Sequence, residues 1–499
     1  MPKPTPRYIL ALDQGSTSSR AVLYDHRGRI VYKSQTPLRS LLPAPDQVEH
    51  RPADILTTQR KTISDTLGWL GKNNAKKIAA IGITNQRSTF ILWDRKTGRP
   101  LHNAISWQDR LGAEVCKEME KQQDLIQSKT GLRLTPHSTV GKLRWVLNQG
   151  KDIRKKAADG EILFGTVNSY LIWNLTKGRL HVTDHTNASR TLMLNLKGLE
   201  WDRELLRLFD IPEAILPRLL PTTASYGEAV LGKHRIPILS SIGDQQGSLC
   251  GQGGFSPGDM ALTYGTGGFL VFNTGDQLPA QSQLLKTIAW SSKGRVLYAL
   301  EGTVNAVGSA ILWLQNNLGL ITHPSEIDTL CKNAQGKVFM IPAFSGLGSP
   351  HYSQADTVFL GLDRKTTRAD LVKGLIEGIA YLMKDNYEQI KRESPIPIRR
   401  IIAGGGAARN AYLLQFQSDL FSKEVSLASV YETSSRGAAY LAGLECGFWK
   451  DLNAILHLKQ TRKIFRPRLE PHEVERFYTR WQEALHLVQD WSEKKNRTL

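Results

Sequence analysis

The sequence predicts an α/β protein made of two related halves, and three observations carry that expectation. Short apolar runs that suit buried strands alternate with longer stretches whose apolar residues recur at helical spacing. The pattern strand, glycine-hydroxyl turn, strand occurs at Tyr8 to Asp25 and returns at Asp259 to Asn273. A third glycine turn, Gly404 to Gly406, follows a short strand and precedes a helix. The two hairpins share shape with little residue identity. They imply a structural repeat of two domains, in which paired hairpins facing one cleft can clamp a triphosphate.

The bulk properties suit this class. A chain of 499 residues can hold two or more domains and bury ample core, and its 42 glycines fit tight strand–helix turns. The net charge of +19 favours acidic ligands, but it is spread along the chain, with only short basic tracts at Lys76-Lys77, Lys151 to Lys156 and Arg399-Arg400. No nucleic-acid motif accompanies it, so a solvated basic surface is expected and no specific nucleic-acid partner. Cys116, Cys250, Cys331 and Cys446 are too scattered for a disulfide framework or metal spacing, which suits a reducing cytoplasm. No run approaches the roughly 18 apolar residues of a membrane span. The opening Met1 to Pro6 lacks the apolar core of a signal peptide.

The elements follow in order. Tyr8 to Leu12 is an apolar strand, Asp13 to Thr17 a tight turn, and Arg20 to Tyr24 the returning strand. A third strand, Ile30 to Ser34, precedes a proline-rich loop. A helix over Asp54 to Leu70 is predicted from Ile55, Ile63, Leu67 and Leu70. Ile78 to Thr84 and Phe90 to Asp94 read as strands, Gly112 to Gln122 as a helix. Gly131 to about Pro221 reads as an insert containing the strand-like Leu163 to Leu175. The pattern then restarts, with a strand over Ile236 to Ile242 ending at Gly243-Asp244-Gln245-Gln246 and a helix from Gly247. After the second hairpin come a strand at Val296 to Glu301, a helix at Asn305 to Leu314 and a strand at Val338 to Pro342. A long helix at Arg368 to Arg392, a strand at Arg399 to Ala403 and helices at Ala411 to Phe421 and Ser435 to Glu445 follow. An amphipathic stretch at Glu473 to Lys495 closes the order.

The chemistry gathers at the turns. Gly15 lets backbone N–H groups approach an anion, and Ser16, Thr17 and Ser18 add hydroxyl donors. Asp13, at the strand end, suits a hydrated Mg²⁺; the same stretch also fits an ordinary hairpin with a polar tip. The glycines at 404–406 let a ligand approach a helix N-terminus. They form neither a GxGxxG dinucleotide fingerprint nor a GxxxxGK[ST] loop. Asp244 reads as a helix cap or as a general base, since a carboxylate followed by two amides can accept a hydroxyl proton while the amides orient the substrate.

Ten ordered stretches are similar to the FGGY carbohydrate kinases, in particular their glycerol kinase branch. They are DQGSTSSRAV (13–22), GITNQRST (82–89), NAISWQDR (103–110), FGTVNSYLIWNLT (164–176), HVTDHTNASRT (181–191), GDQQ (243–246), YGTGGF (264–269), IPAFSGLGSP (341–350), LLQFQSDL (413–420) and GAAYLAGLECGFW (437–449). The resemblance implies an actin/hexokinase-like fold of two ribonuclease-H-like domains, over 1–252 and 253–499. It implies MgATP and phosphoryl transfer to a primary hydroxyl of a small polyol or sugar. It assigns phosphate contacts to Ser16, Thr17, Ser18 and Arg20, and Mg²⁺ to Asp13. Thr266 and Gly308 take the phosphate and ribose region, and Gly406 and Asn410 the adenosine end. Asp244 becomes the base. Arg87 and Gln245 bind substrate hydroxyls, with Trp107 and Phe269 as apolar walls. A homodimer or homotetramer is also implied.

Departures concentrate on the acceptor. Ser88 stands where the family has Glu, and His137 where it has Tyr. Losing a charge there opens space and implies either a longer or differently substituted polyol, such as a tetritol, pentitol or ketopentose, or weakly bound glycerol. Elsewhere Leu312 replaces a Gln, Gly404 an Asp and Asn168 an Asp. The competing reading from another class is a catalytically weak kinase-like protein that binds a polyol or nucleotide.

Overall fold

The structure, a computed structural model, describes residues 7–71, 74–458 and 461–498. The opening stretch read for a signal peptide lies outside the described residues. The chain divides into two compact units. The first is Met1–Gly253 with Lys286–Tyr298 and Ser434–Leu458; the second is Gly254–Leu285, Ala299–Thr433 and Lys459–Leu499.

In the first unit, Tyr8–Gln14 pairs antiparallel with Ser18–Tyr24, which pairs antiparallel with Ile30–Pro37. Tyr8–Gln14 also pairs in parallel with Ile78–Asn85, and Ile78–Asn85 in parallel with His234–Gly243. Glu228–Leu231 completes the six-stranded sheet beyond His234–Gly243. Leu10, Leu12, Ile81, Ile83 and Ile238 are fully buried. The helix Pro52–Leu70 buries Ile55 and Ile63 in the same core, with Pro52 setting its first turn.

In the second unit, Asp259–Tyr264 pairs antiparallel with Gly268–Gly275 and in parallel with Arg400–Gly404. Arg400–Gly404 pairs in parallel with Val425–Ala428, and Thr461–Phe465 closes that edge antiparallel. A hairpin followed by two parallel additions is thus common to both units. This is the repeat read from the two hairpins and the ribonuclease-H-like order that the resemblance implies. The helix Arg368–Glu393 begins at Thr367, whose hydroxyl accepts from the Asp370 amide, and buries Leu375, Ile379 and Met383. The final helix, Pro471–Thr498, is amphipathic as expected, with Trp481 buried and Trp491 exposed.

Four expected elements differ. Leu163 to Leu175 is the end of a strand, Ile162–Thr166, and then a helix, Val167–Leu175. Burial on nearly every side removes the amphipathic period that would have marked the change. Gly112 to Gln122 is a short helix, Ala113–Glu118, and then a 3-10 turn, Glu120–Gln122. The helix after Gly243 starts at Asp244 rather than Gly247. The helix expected from Asn305 starts at Gly308, because the Val307 and Gly308 amides bond to carbonyls of the 265–266 turn.

The late segment Ser434–Leu458 returns to the first unit through close backbone contact. A Cβ at Gly437 would overlap the Gly247 carbonyl, and one at Gly82 the Ala438 carbonyl. Gly437→Ala is therefore expected to destabilise the protein by about 2 kcal/mol or more, read as a lower thermal midpoint. Gly68→Ala, on an exposed helical position where a methyl group meets nothing within 4 Å, raises stability by about 0.5–1 kcal/mol.

Candidate active site

The first unit builds its site at the carboxyl ends of three parallel strands. Asp13 lies level with Thr84, and Thr84 with Ile242; Gln14, Asn85 and Gly243 form the next level. Strands about 4.8 Å apart put the Asp13 and Asp244 backbones about 10 Å apart along one edge. Ligand sites in open α/β sheets favour this edge because the turns that follow parallel strands leave amides and side chains unspent on the sheet.

Asp244 is the first helical residue after the cap position Gly243, so it is not itself the cap. Its Oδ1 accepts from the Gln245 amide at 2.8 Å and lies 3.1 Å from Arg87 Nε. Arg87 is almost fully buried and donates from Nη1 to Gln246 Oε1 at 3.3 Å. It runs across Gly243, where a Cβ would stand 2.7 Å from Arg87 Cδ. Glycine at 243 is what lets the guanidinium reach Asp244. Gln245 is buried, and its Oε1 has no hydrogen-bond partner among the described residues. A buried amide oxygen without a donor is costly in a folded protein and marks a place for a ligand hydroxyl.

The hairpin tip is tighter than expected, since Asp13 and Gln14 belong to the strand. The Gly15 amide donates to Ser18 O at 3.0 Å. Thr17 is exposed. Ser16 is half-buried, donating to Gln86 Oε1 and accepting from Trp107 Nε1 at 3.0 Å. Ser18 is buried and accepts from Gln35 Nε2. Arg20 Nη1 pairs with Asp13 Oδ2 at 3.0 Å. Among the described residues no group of three or more His, Cys, Asp or Glu could hold a metal ion. Asp13, nearly buried and paired with Arg20, nevertheless fits Mg²⁺, which takes one or two carboxylates and completes its shell with phosphate oxygens and water.

Beyond Arg87, Ser88 has a left-handed backbone (φ 66°). Its hydroxyl donates to Arg190 O at 3.3 Å, and its carbonyl accepts from Thr139 Oγ1. Trp107 is partly exposed, with its backbone amide held by Thr89 Oγ1. His137 keeps an exposed side chain, yet desolvation by its surroundings, then the charges of Lys142 and Arg110, hold its pKa below the ordinary histidine value. Lys142 was missed in the sequence. It is fully buried, donates from Nζ to Ser106 O at 2.6 Å, and burial pushes its ammonium down to about 7 against the attraction of Asp109. Nothing in the local sequence distinguishes it from a surface lysine.

The second unit repeats the construction with glycines. Thr266 is exposed at the turn between Asp259–Tyr264 and Gly268–Gly275. The Gly308 amide donates to Gly265 O at 2.9 Å, and a Cβ at Gly308 would stand 2.6 Å from that oxygen. Thr263 lies level with Gly404, so the 404–406 turn is next to this one. Gly405 has φ 92°, and a Cβ there would meet the Tyr264 backbone at 2.5 Å. Gly406 is exposed with open space at its Cα. Asn410 caps the helix Ala411–Phe421 by accepting from Leu413 N at 2.7 Å, while its Nδ2 has no partner among the described residues. Phe269 is half-buried, level with Thr263.

Comparison with known proteins identifies the family. Residues 8–251 match the N-terminal domain of the FGGY family of carbohydrate kinases, and 260–446 its C-terminal domain. The chain belongs to this family. It is 42% identical over 497 residues to glycerol kinase 2 of Thermotoga maritima, covering 98% of this chain and 100% of the relative. It is also 42% identical over 494 residues to a glycerol kinase of Natranaerobius thermophilus, covering 97% and 99%. The crystal structure of Plasmodium falciparum glycerol kinase with ADP superposes with a TM-score of 0.90 at 32% identity, covering 97% of this chain and 98% of that one. The FGGY kinases are ATP-dependent phosphotransferases acting on alcohol groups, so the chain is an enzyme of that class. Among the described residues no helix is long and apolar enough to cross a membrane.

The Lys142 ammonium has a pH consequence. Its folded pKa, about 7, lies below the ordinary lysine value of 10.5. Between those values the unfolded chain binds the extra proton, so this group makes stability rise with pH. Lys142→Met should remove that component. Subtracting the variant's thermal midpoints from those of the wild type gives a difference that climbs from pH 7 to pH 10; a flat difference contradicts the assignment.

Proposed function

We propose that the protein transfers the γ-phosphoryl group of ATP to a primary hydroxyl of glycerol or a related small polyol. The observation that carries this reading is the Arg87–Asp244–Gln245 group: a carboxylate 3.1 Å from a buried guanidinium, beside a buried amide oxygen that lacks a donor. In this reading Asp244 accepts the proton of the acceptor hydroxyl as its oxygen bonds to the γ-phosphorus and the bond to the bridging oxygen of ADP breaks. Arg87 orients Asp244 and donates to acceptor hydroxyls, and Gln245 Oε1 accepts from one of them. Trp107 and Phe269 supply apolar walls. Ser16, Thr17, Ser18 and Arg20 serve the phosphates, with Thr266 and Gly308. Gly406 and Asn410 serve the adenosine. Asp13 would hold Mg²⁺, which supplies neutralisation of phosphate charge when bound. The assembly implied by the family resemblance, a homodimer or homotetramer, belongs to the same proposal.

The identity of the acceptor has two supports that pull apart. The relatives named as glycerol kinases favour glycerol. Ser88 and His137 favour an altered acceptor, because an acidic side chain and a phenol are both replaced on that side of the site. A missing hydrogen-bonding partner can shift preference by orders of magnitude.

The test is ADP release by the purified protein with ATP, Mg²⁺ and a panel of glycerol, dihydroxyacetone, erythritol, other tetritols, pentitols and pentuloses. Turnover with at least one of them is expected, and none with any of them contradicts the kinase reading. Ser88→Glu is expected to lower KM for glycerol by about tenfold relative to the best larger acceptor. A wild type that already prefers glycerol at low concentration contradicts the altered acceptor.

A further inference from the structure

One buried carboxylate in the first unit has no place in the chemistry above. Asp184 is fully buried at the end of the strand Val182–Asp184 and caps the helix His185–Ser189. Its Oδ2 accepts from the Thr186 amide at 2.7 Å, from the Thr186 hydroxyl and from the Asn187 amide at 3.4 Å. Its Oδ1 accepts from Asn187 Nδ2 at 2.7 Å, and from Asn168 Nδ2 and Ser241 Oγ at 3.2 Å each. Six donors converge on two oxygens, a match of donors to acceptors that fixes the carboxyl group in place, while burial raises its pKa above the ordinary carboxylate value against the pull of those hydrogen bonds. Asn168 is part of that match. It donates to Asp184 where an aspartate would face it with a second charge.

Two arms leave this carboxylate, and each ends one residue from a member of the ion pair. Thr186 spends its hydroxyl proton on Asp184 and offers its oxygen to the Gly243 amide at 2.9 Å. Gly243 immediately precedes Asp244. Asn187, fixed by Asp184, forms a reciprocal amide pair with Asn85 at 3.0 and 3.2 Å. Asn85 Nδ2 in turn holds Gln86 O at 2.8 Å, immediately before Arg87.

We propose that Asp184 is a positioning residue for phosphoryl transfer, fixing the Asp244 segment through Thr186 and the Arg87 segment through Asn187 and Asn85. The inference rests on the reading of Asp244 as the base and of Arg87 as its partner. Both arms are buried and their polar groups are hydrogen-bonded, so a displaced arm moves a reacting group rather than relaxing into solvent. Misplacement of a reacting group by about 1 Å costs on the order of a hundredfold in rate.

The experiment compares Thr186→Val, Thr186→Ser and Thr186→Cys with wild type in the full chain, measuring kcat, KM for ATP, KM for the best acceptor and the thermal midpoint. Valine keeps the volume but removes the acceptor for the Gly243 amide. It should lower kcat about ten- to a hundredfold, with KM for ATP within about twofold. Serine should recover most of the loss. A folded valine variant with kcat within twofold of wild type overturns the inference, and so does an equal loss in valine and serine, which marks a purely structural position. Should valine fail to fold, cysteine, a weak acceptor, must fall below serine in kcat; equal values overturn the proposal. A wild type inactive with every acceptor overturns the functional reading and this inference together, whereas an active wild type with an unaffected valine variant overturns this inference alone.

Discussion

The strand Ile78–Asn85 is paired in parallel on both sides, and the chemistry of the first unit depends on that double pairing. Its register sets Asp13 level with Thr84 and Ile242, so three strand ends deliver Asp13, Arg87 and Asp244 to one edge. A one-residue slip would send Asp13 to the opposite face of the sheet. The fully buried Leu10, Leu12, Ile81 and Ile83 hold the register against that slip.

Glycines then allow what the register demands. Arg87 crosses Gly243 at a distance no other residue permits, and Gly308 and Gly405 perform the same service for backbone in the second unit. The Arg87–Asp244 pair is asymmetric in burial, with the arginine side chain 7% exposed and the carboxylate 31%. Desolvating a guanidinium is expensive unless its donors are matched. Here Nε meets Asp244 and Nη1 meets Gln246, which ties the carboxylate to a fixed direction while leaving part of its surface open.

Much of this was legible in the sequence. Both hairpins, the helix Ala411–Phe421 and the strand Phe90–Asp94 follow from apolar period and turn chemistry alone. The ten ordered stretches carried the family. What stayed hidden did so for physical reasons. The strand-to-helix change at Thr166 is buried on nearly every side and shows no period. Lys142 looks like any charged helix residue until its neighbours cover it. The return of Ser434–Leu458 to the first unit is a contact across more than half the chain, and no local pattern encodes it. The cap reading of Asp244 was displaced by a single residue, since Gly243 holds the cap position and the carboxylate turns to Arg87 instead.

In the proposed function Asp244 does chemistry rather than helix capping. Asp244→Asn keeps the size and the acceptor for the Gln245 amide but removes the charge and the basicity. Steady-state turnover with the best acceptor, measured beside calorimetric titration with ATP, separates the two roles. A loss of at least about a thousandfold in kcat is expected, with ATP affinity within about threefold of wild type and the thermal midpoint within a few degrees. A variant that turns over near the wild-type rate would contradict it and return Asp244 to a structural role.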